Sequence, residues 1–346
     1  MHDQLTLLRP DDWHLHLRDG EALRAVLPHT ARQFARAVVM PNLKPPVTTT
    51  ALAAQYRERI LAARPAGSDF QPLMTLYLTD RTAPEEIDRA RDSGFVIGCK
   101  LYPAGATTHS DAGVTDIRRI DAVLERMAER ELPLQIHGEV TADEIDVFDR
   151  EREFIERTLR PLVSRHQRLR VIFEHITTAA AVEFVQNARE DVAATITPQH
   201  LLYNRNEMFR GGIRPHFYCL PVLKTEPDRQ ALLEAATSGN PRFFLGTDSA
   251  PHERHTKEAA CGCAGIYSAH AALELYADAF ERMGRLDRLE AFASLNGADF
   301  YRLHRNTTTV TLRRTSWQVP PAYRFGAGTV VPLRAGETLS WQLVES

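Results

Sequence analysis

Eight short apolar runs, separated by helical patterns, constrain this chain more than any other feature. They are DWHLHLR (12–18), RAVVMPN (36–42), PLMTLYLT (72–79), FVIGCKLYP (95–103), LPLQIHGE (132–139), RVIFEHIT (170–177), VAATITPQH (192–200) and RFFLGTDSAPH (242–252). Between them lie segments such as DIRRIDAVLERMAER, where Ile117, Ile120, Val123, Leu124 and Met127 repeat at helical spacing behind a capping Thr115 or Asp116. That pattern is a crossover helix. Strands joined by crossover helices pair in parallel, and eight is the number that closes into a barrel. The expected fold is α/β, a (β/α)8 TIM barrel. A doubly wound open sheet is the competing architecture. It is disfavoured because no glycine-rich phosphate turn follows the first run, and because polar residues end nearly every run, where a barrel would gather them.

The length of 346 residues suits one barrel with insertions. The whole chain, 1–346, is therefore expected to be a single domain. Its tail 306–346, rich in Thr, Val, Pro and Gly, reads as an irregular or extended appendage too short to stand alone. With 43% hydrophobic and 25% charged residues and a formal net charge of −3, the composition is that of a soluble globular protein. Neither nucleic acid nor an anionic membrane is expected as a partner. The start MHDQLTLLRPDDW has no basic region followed by an apolar run, and nothing approaches the ~18 apolar residues of a membrane span, so a cytoplasmic location is expected. Cys99, Cys219, Cys261 and Cys263 are too few for a disulfide framework and lack paired zinc-site spacing, so they are expected to be free thiols.

The polar residues at the run ends carry the chemistry. His14 and His16 stand two apart on a strand, so both point to the same side, which in a barrel is the interior. Lys100 ends the fourth run, His137 the fifth, His175 the sixth and Asp248 the eighth. Such positions converge on the catalytic face of a barrel. Burying all six without a compensating ion would be very costly, which points to metal binding. Nitrogen ligands with a carboxylate suit Zn²⁺, with Mn²⁺ or Co²⁺ as substitutes, and four histidines, one aspartate and a bridging group are enough for two ions.

Lys100 stands out. Of 42 basic residues only Lys44, Lys100, Lys224 and Lys257 are lysine, and all others are arginine. An ammonium beside two dications would be repelled, but burial and positive neighbours lower a lysine pKa, and the neutral amine can take up CO2 as a bridging carbamate. Arginine cannot. On the substrate side, Arg18, Asn42 and His252 lie near these positions and together could hold a carboxylate, with the guanidinium as a planar fork. The loop PAGATTHSDAG after the fourth run is small-residue-rich, longer than an ordinary barrel turn, and reads as a lid.

The motifs DWHLHLRDG, MPNLKPPVTT, GCKLYPAGATTHSDAGV, IHGEV, FEHITT and GTDSAPH, in this order and spacing, closely resemble bacterial dihydroorotases of the amidohydrolase superfamily, from about residue 10 to about residue 300. The resemblance implies two zinc ions per chain. His14, His16, N6-carboxylated Lys100 and Asp248 hold one, and Lys100, His137 and His175 the other. It further implies that Arg18, Asn42 and His252 grip the α-carboxylate of dihydroorotate or N-carbamoyl-L-aspartate. Backbone groups near Leu220 and Ala264 meet the ring edge, His16 and His137 count among the substrate contacts, and Thr107 and Thr108 contact substrate from the lid. A homodimer is implied as well. The motifs look like the compact bacterial type, not the hydantoinase-like type that adds a β-sandwich built from both chain ends, because strand one begins near Asp12 and leaves no room for an N-terminal share of it.

The expected activity is reversible cyclisation of N-carbamoyl-L-aspartate to (S)-dihydroorotate and water, in pyrimidine biosynthesis. A zinc-activated hydroxide serves the hydrolytic direction, with Asp248 as proton shuttle. The rivals are another cyclic amidohydrolase, such as a hydantoinase or dihydropyrimidinase, and a catalytically inactive scaffold barrel. Arg18 with Asn42 argues against the first, and the complete ligand set with Asp248 against the second.

Overall fold

The structure is a computed structural model that describes residues 3–260 and 262–344. After a short strand β1 (Gln4–Leu8), eight strands follow: β2 (Asp11–Leu15), β3 (Arg36–Val39), β4 (Gln71–Tyr77), β5 (Val96–Leu101), β6 (Leu134–Ile136), β7 (Val171–Phe173), β8 (Val192–Ile196) and β9 (Phe243–Leu245). They form one sheet in sequence order, and every neighbouring pair is parallel. The seam between first and last strand is joined just past β9, where Asp248 N–H donates to His14 O at 2.9 Å and Leu15 bridges Ser249. Asp12 reinforces it by accepting from both Thr247 N–H and Thr247 Oγ1. Gly246 is required at this crossing, since a Cβ there would lie 2.8 Å from Thr195 Cβ and 3.2 Å from His14 Cβ.

Strand alternation sorts the core into two faces. Ala37, Val39, Val171, Phe173, Val192, Ala194, Phe243 and Leu245 join the large cluster under the helices. Val38, Ile172, Ala193 and Phe244, the residues between them, form a smaller cluster with Trp13, Ala298 and Tyr301. Tyr301 stacks on Trp13 at 4.6 Å and 10°, and its hydroxyl accepts from Gln135, so this end of the barrel interior is filled. Trp13 and His14 are neighbours in sequence yet both belong to the interior, beside a register shift between Asp12 and Leu15. The expected crossover helix is present as a 3-10 turn (Ile117–Ile120) and an α-helix (Asp121–Glu129), with Asp116 as its cap.

The tail takes the extended alternative of the two read from its composition. Strand β10 (Thr309–Gln318) pairs antiparallel with β1 on one side, and on the other with β13 (Thr338–Leu343); a small hairpin, β11 (Tyr323–Phe325) and β12 (Gly328–Val330), lies between β10 and β13 in the chain. The expectation that nothing before Asp12 contributes to an added sheet is thus corrected, because Gln4–Leu8 supplies an edge strand. In β13, Leu339, Trp341 and Leu343 are buried and alternate with exposed residues, so one face seals against the helix Ala272–Arg282. Leu343 N–H donates to Glu274 and Trp341 Nε1 to Glu281 of that helix. Cys99, Cys219 and Cys263 are free thiols, and Cys261 lies outside the described residues. Among the described residues no helix is long and apolar enough to cross a membrane.

Candidate active site

The sequence-derived residues gather at the C-terminal ends of the barrel strands. His14 and Lys100 lie on β2 and β5, His16 and His137 just beyond β2 and β6, and His175 and Asp248 two and three residues beyond β7 and β9. All six are buried. His14, His16, His137, His175 and Asp248 line one small cavity together with Arg18, Asn42, Tyr102, Thr107, Thr108, Leu220, Ala264 and Gly265. Imidazole rings run across it, with centroids 5.3 Å apart for His14 and His16 and 4.9 Å for both His14 to His175 and His137 to His175. His175, Asp248 and Arg18 hold positive φ values of 42°, 43° and 59°, the left-handed region that non-glycine residues seldom occupy. Such strain concentrates where surrounding bonds overdetermine the backbone. Here His175 N–H is held by Thr195 Oγ1 at 2.7 Å and Asp248 N–H by His14 O.

Hydrogen bonds set which imidazole nitrogen faces the cavity. His14 Nδ1 is 2.8 Å from Glu174 Oε2, so it must carry the proton, and its Nε2 is left 3.4 Å from Asp248 Oδ1. His16 Nδ1 is 2.9 Å from Asn42 Oδ1, which leaves Nε2 3.1 Å from the same carboxylate oxygen. Two imidazole nitrogens thus converge on one carboxylate oxygen, an arrangement that calls for positive charge among them, either a proton on His14 Nε2 or a metal ion. The ligand atoms of His14, His16 and Asp248 all lie within 4.8 Å of one another. His137 Nε2 donates to Glu139 at 2.7 Å, which leaves Nδ1 as its free lone pair. His175 Nδ1 and Lys100 Nζ are buried with no hydrogen-bond partner among the described residues, a cost of about 1–3 kcal/mol each for groups that stay unmatched.

The electrostatics agree. Burial holds His16 down at about 4 and His175 well below the usual imidazole range, so both offer lone pairs at neutral pH. His14 behaves differently: burial and Lys100 oppose its protonation, but Glu174 and Asp248 outweigh them and raise it, two carboxylates favouring positive charge at this point. Burial lowers the Lys100 ammonium to about 8, partly offset by Glu174 and Asp248, so a reactive neutral amine is accessible near physiological pH. This donor set fits metal ions. Glu174 and Glu139 orient two of the histidines, as acidic partners of metal-bound imidazoles commonly do. Sequence reasoning passed over both, although they stand inside the motifs FEHITT and IHGEV. It passed over Tyr102 too, which lines the cavity with its ring centroid 5.1 Å from that of Tyr77.

Around the rim, Arg18 Nε donates to Pro251 O at 2.9 Å and Nη2 lies 3.0 Å from His252 Nε2. Nη1 remains uncommitted to any protein acceptor among the described residues. His252 Nε2 is also 2.9 Å from Ala264 O. A neutral ring can donate to the carbonyl or accept from Arg18, not both at once, and burial next to Arg18 and Lys257 holds it neutral, down at about 2. Asn42 Nδ2 donates to Thr108 O at 3.2 Å, so its amide links His16 to the loop after β5. That loop is self-bonded: Ala104 N–H donates to Val114 O and Val114 N–H to Tyr102 O at its base, and Ser110 Oγ ties Thr107. Thr108 Oγ1 reaches Ala264 O at 3.4 Å across the cavity mouth.

Residues 12–312 match the amidohydrolase family. Over 341 residues, 99% of both chains, the sequence is 65% identical to a dihydroorotase of Alkalilimnicola ehrlichii. The fold is similar to the crystal structure of a dihydroorotase from Campylobacter jejuni, at TM-score 0.91 and 36% identity over 99% of this chain and 98% of that one. It is also similar to a dihydroorotase from Saccharomyces cerevisiae in complex with 5-fluoroorotic acid, at TM-score 0.90 and 31% identity over 99% of each.

Proposed function

The chain belongs to the amidohydrolase family, on its dihydroorotase branch, and from that membership we propose that it interconverts N-carbamoyl-L-aspartate and (S)-dihydroorotate in pyrimidine biosynthesis. The observation that carries this reading is the buried cluster of His14, His16 and Asp248, with both imidazole Nε2 atoms turned on one carboxylate oxygen beside the uncommitted Arg18 Nη1. Metal binding is a property of the family. In the proposal, two zinc ions are held, one by His14, His16, Lys100 and Asp248 and the other by Lys100, His137 and His175, with Lys100 carboxylated on Nζ. Bound zinc supplies water acid enough to give hydroxide near neutral pH and a polarised carbonyl.

The remaining work falls to side chains. Asp248 takes the proton released as water adds to the ring amide carbon of dihydroorotate, and passes it to the ring nitrogen as the C–N bond breaks. Cyclisation runs the same steps backwards, joining the carbamoyl nitrogen to the side-chain carboxyl carbon with loss of water. Arg18, with Asn42 and His252, takes the substrate α-carboxylate, and backbone near Leu220 and Ala264 meets the ring edge. Thr107 and Thr108 close over the ring and exclude bulk water. The unit is one barrel with 306–346 as its appendage, acting as a homodimer that sedimentation velocity would reveal.

An assay of dihydroorotate hydrolysis with metal content per chain tests the reading. Turnover tracking about two metals per chain is expected. Absence of hydrolysis by metal-replete protein, or equal turnover of a neutral cyclic amide, would sink it.

A further inference from the structure

Three of the four lysines in this arginine-rich chain are buried, namely Lys100, Lys224 and Lys257, whereas Lys44 is exposed. Lys257, 4% exposed, ends the short helix Arg254–Lys257. Its Nζ donates to three backbone carbonyls: Tyr218 O at 2.8 Å, Cys263 O at 2.9 Å and Gly265 O at 2.6 Å. An ammonium has three donors, and all three are used. The acceptors come from two separate segments, and these are the segments that carry Leu220 on one side and Ala264 and Gly265 on the other into the cavity wall.

The geometry has a consequence for the wall. With Cys263 O and Gly265 O both drawn to Nζ, the carbonyl of Ala264 between them points the other way, at His252 Nε2 and Thr108 Oγ1. Gly265 N–H donates to Tyr218 O at 3.0 Å, which ties the two segments directly. On its other side Gly265 packs against the segment after β9 too closely for a side chain, since a Cβ there would lie 2.5 Å from Ala250 O, and its φ is 153°. A guanidinium spreads its donors in a plane and is bulkier, so it cannot direct three N–H groups from one atom at three converging carbonyls.

We propose that Lys257 is a positioning residue that clamps the ring-edge wall of the cavity and so sets affinity for the cyclic substrate without touching it. The inference rests on the proposed dihydroorotate chemistry for its kinetic arm only. Among the described residues the Lys257 ammonium hydrogen-bonds only to the three wall carbonyls and to no residue of the metal cluster, so metal content and kcat are expected to depend on it less than KM does.

The test compares wild type with Lys257→Met, Lys257→Arg and Lys257→Gln by three measurements: metal content, kcat and KM for dihydroorotate, and amide hydrogen exchange. KM should rise about 10–100-fold in the Met variant, as a charge-assisted three-bond clamp is lost, with kcat within a few-fold and full metal content. Exchange at 262–267 should quicken by at least about tenfold while the barrel strands stay protected. Arg should not rescue, and Gln, with two donors, should fall between. Wild-type inactivity toward dihydroorotate would fail the functional reading while leaving the exchange arm to judge the clamp. Unchanged KM and exchange in the Met variant, full rescue by Arg, or loss confined to kcat would overturn the proposal. So would failure of both the Met and Gln variants to fold, which would assign Lys257 to stability of the fold.

Discussion

Glu174→Gln isolates a single charge beneath the metal cluster. The carboxylate is fully buried; its Oε2 accepts from His14 Nδ1 at 2.8 Å and from Thr195 Oγ1 at 2.7 Å, and Oε1 has no hydrogen-bond partner among the described residues. A glutamine oxygen can therefore take both bonds while its NH2 occupies the place of Oε1, so shape is conserved and only the charge is removed. A hydrogen bond to a charged group contributes about 1.5–3 kcal/mol and a neutral one about 0.5–1.5. The difference, about 1–2 kcal/mol, corresponds to metal affinity weaker by about 5–30-fold at 1.4 kcal/mol per decade. Glu174→Ala removes the bond altogether and strands the His14 N–H and the Thr195 hydroxyl. A further ~1–3 kcal/mol should be lost, a total of about 2–5 kcal/mol or about 30–4,000-fold. Zinc titration against a chromophoric chelator, with thermal melting to check the fold, measures both. Wild-type affinity in Glu174→Gln would refute the reasoning. Equal losses in Gln and Ala would show that occupancy of the site matters and its charge does not.

Lys100→Ala should abolish turnover and lower metal content, and Lys100→Arg should fail as well; near-normal turnover in Lys100→Arg would dismiss the carbamate. Arg18→Met should weaken dihydroorotate by about 2–5 kcal/mol in kcat/KM while sparing a neutral ring; equal losses would make Arg18 a general shaping residue. Thr107→Ala with Thr108→Gly should keep metal and fold but reduce kcat/KM by ~10–10³-fold, by one factor in both directions because the solution equilibrium is fixed. Wild-type kcat/KM there would remove the lid role. His270 lies outside the metal site, and burial with His29 and Arg32 nearby holds it down at about 3. Its folded value is below its unfolded value, so its contribution is present above about pH 6.5 and is lost as pH falls, when the unfolded chain alone takes the proton. Between pH 7.5 and 5 that loss is about 2 kcal/mol. His270→Phe should lose that much less over the same interval in urea unfolding, and an unchanged acid slope would contradict the assignment.

Much of this was legible in the chain because it is local. Alternating apolar residues between helical patterns specify eight parallel strands, and the backbone rule that places strand-end side chains on one barrel face needs no tertiary knowledge to bring His14, His16, Lys100, His137, His175 and Asp248 into one set. The rarity of lysine marked Lys100 on chemical grounds alone. Other features depend on contacts between distant parts of the chain. Glu174 meets His14 across 160 positions, and only that bond decides which imidazole nitrogen is free. Gln4–Leu8 has no pattern strong enough to be read as a strand until Thr309–Gln318 lies beside it, because an edge strand gains its hydrogen bonds and its buried face from the partner. Lys257 is invisible as a clamp in the sequence, since its acceptors are backbone carbonyls, which every residue carries, and only folding brings Tyr218, Cys263 and Gly265 around one nitrogen. Residue type and periodicity determine which groups are offered and on which face; chain closure over long separations decides which of them meet, and with it the protonation and direction of each.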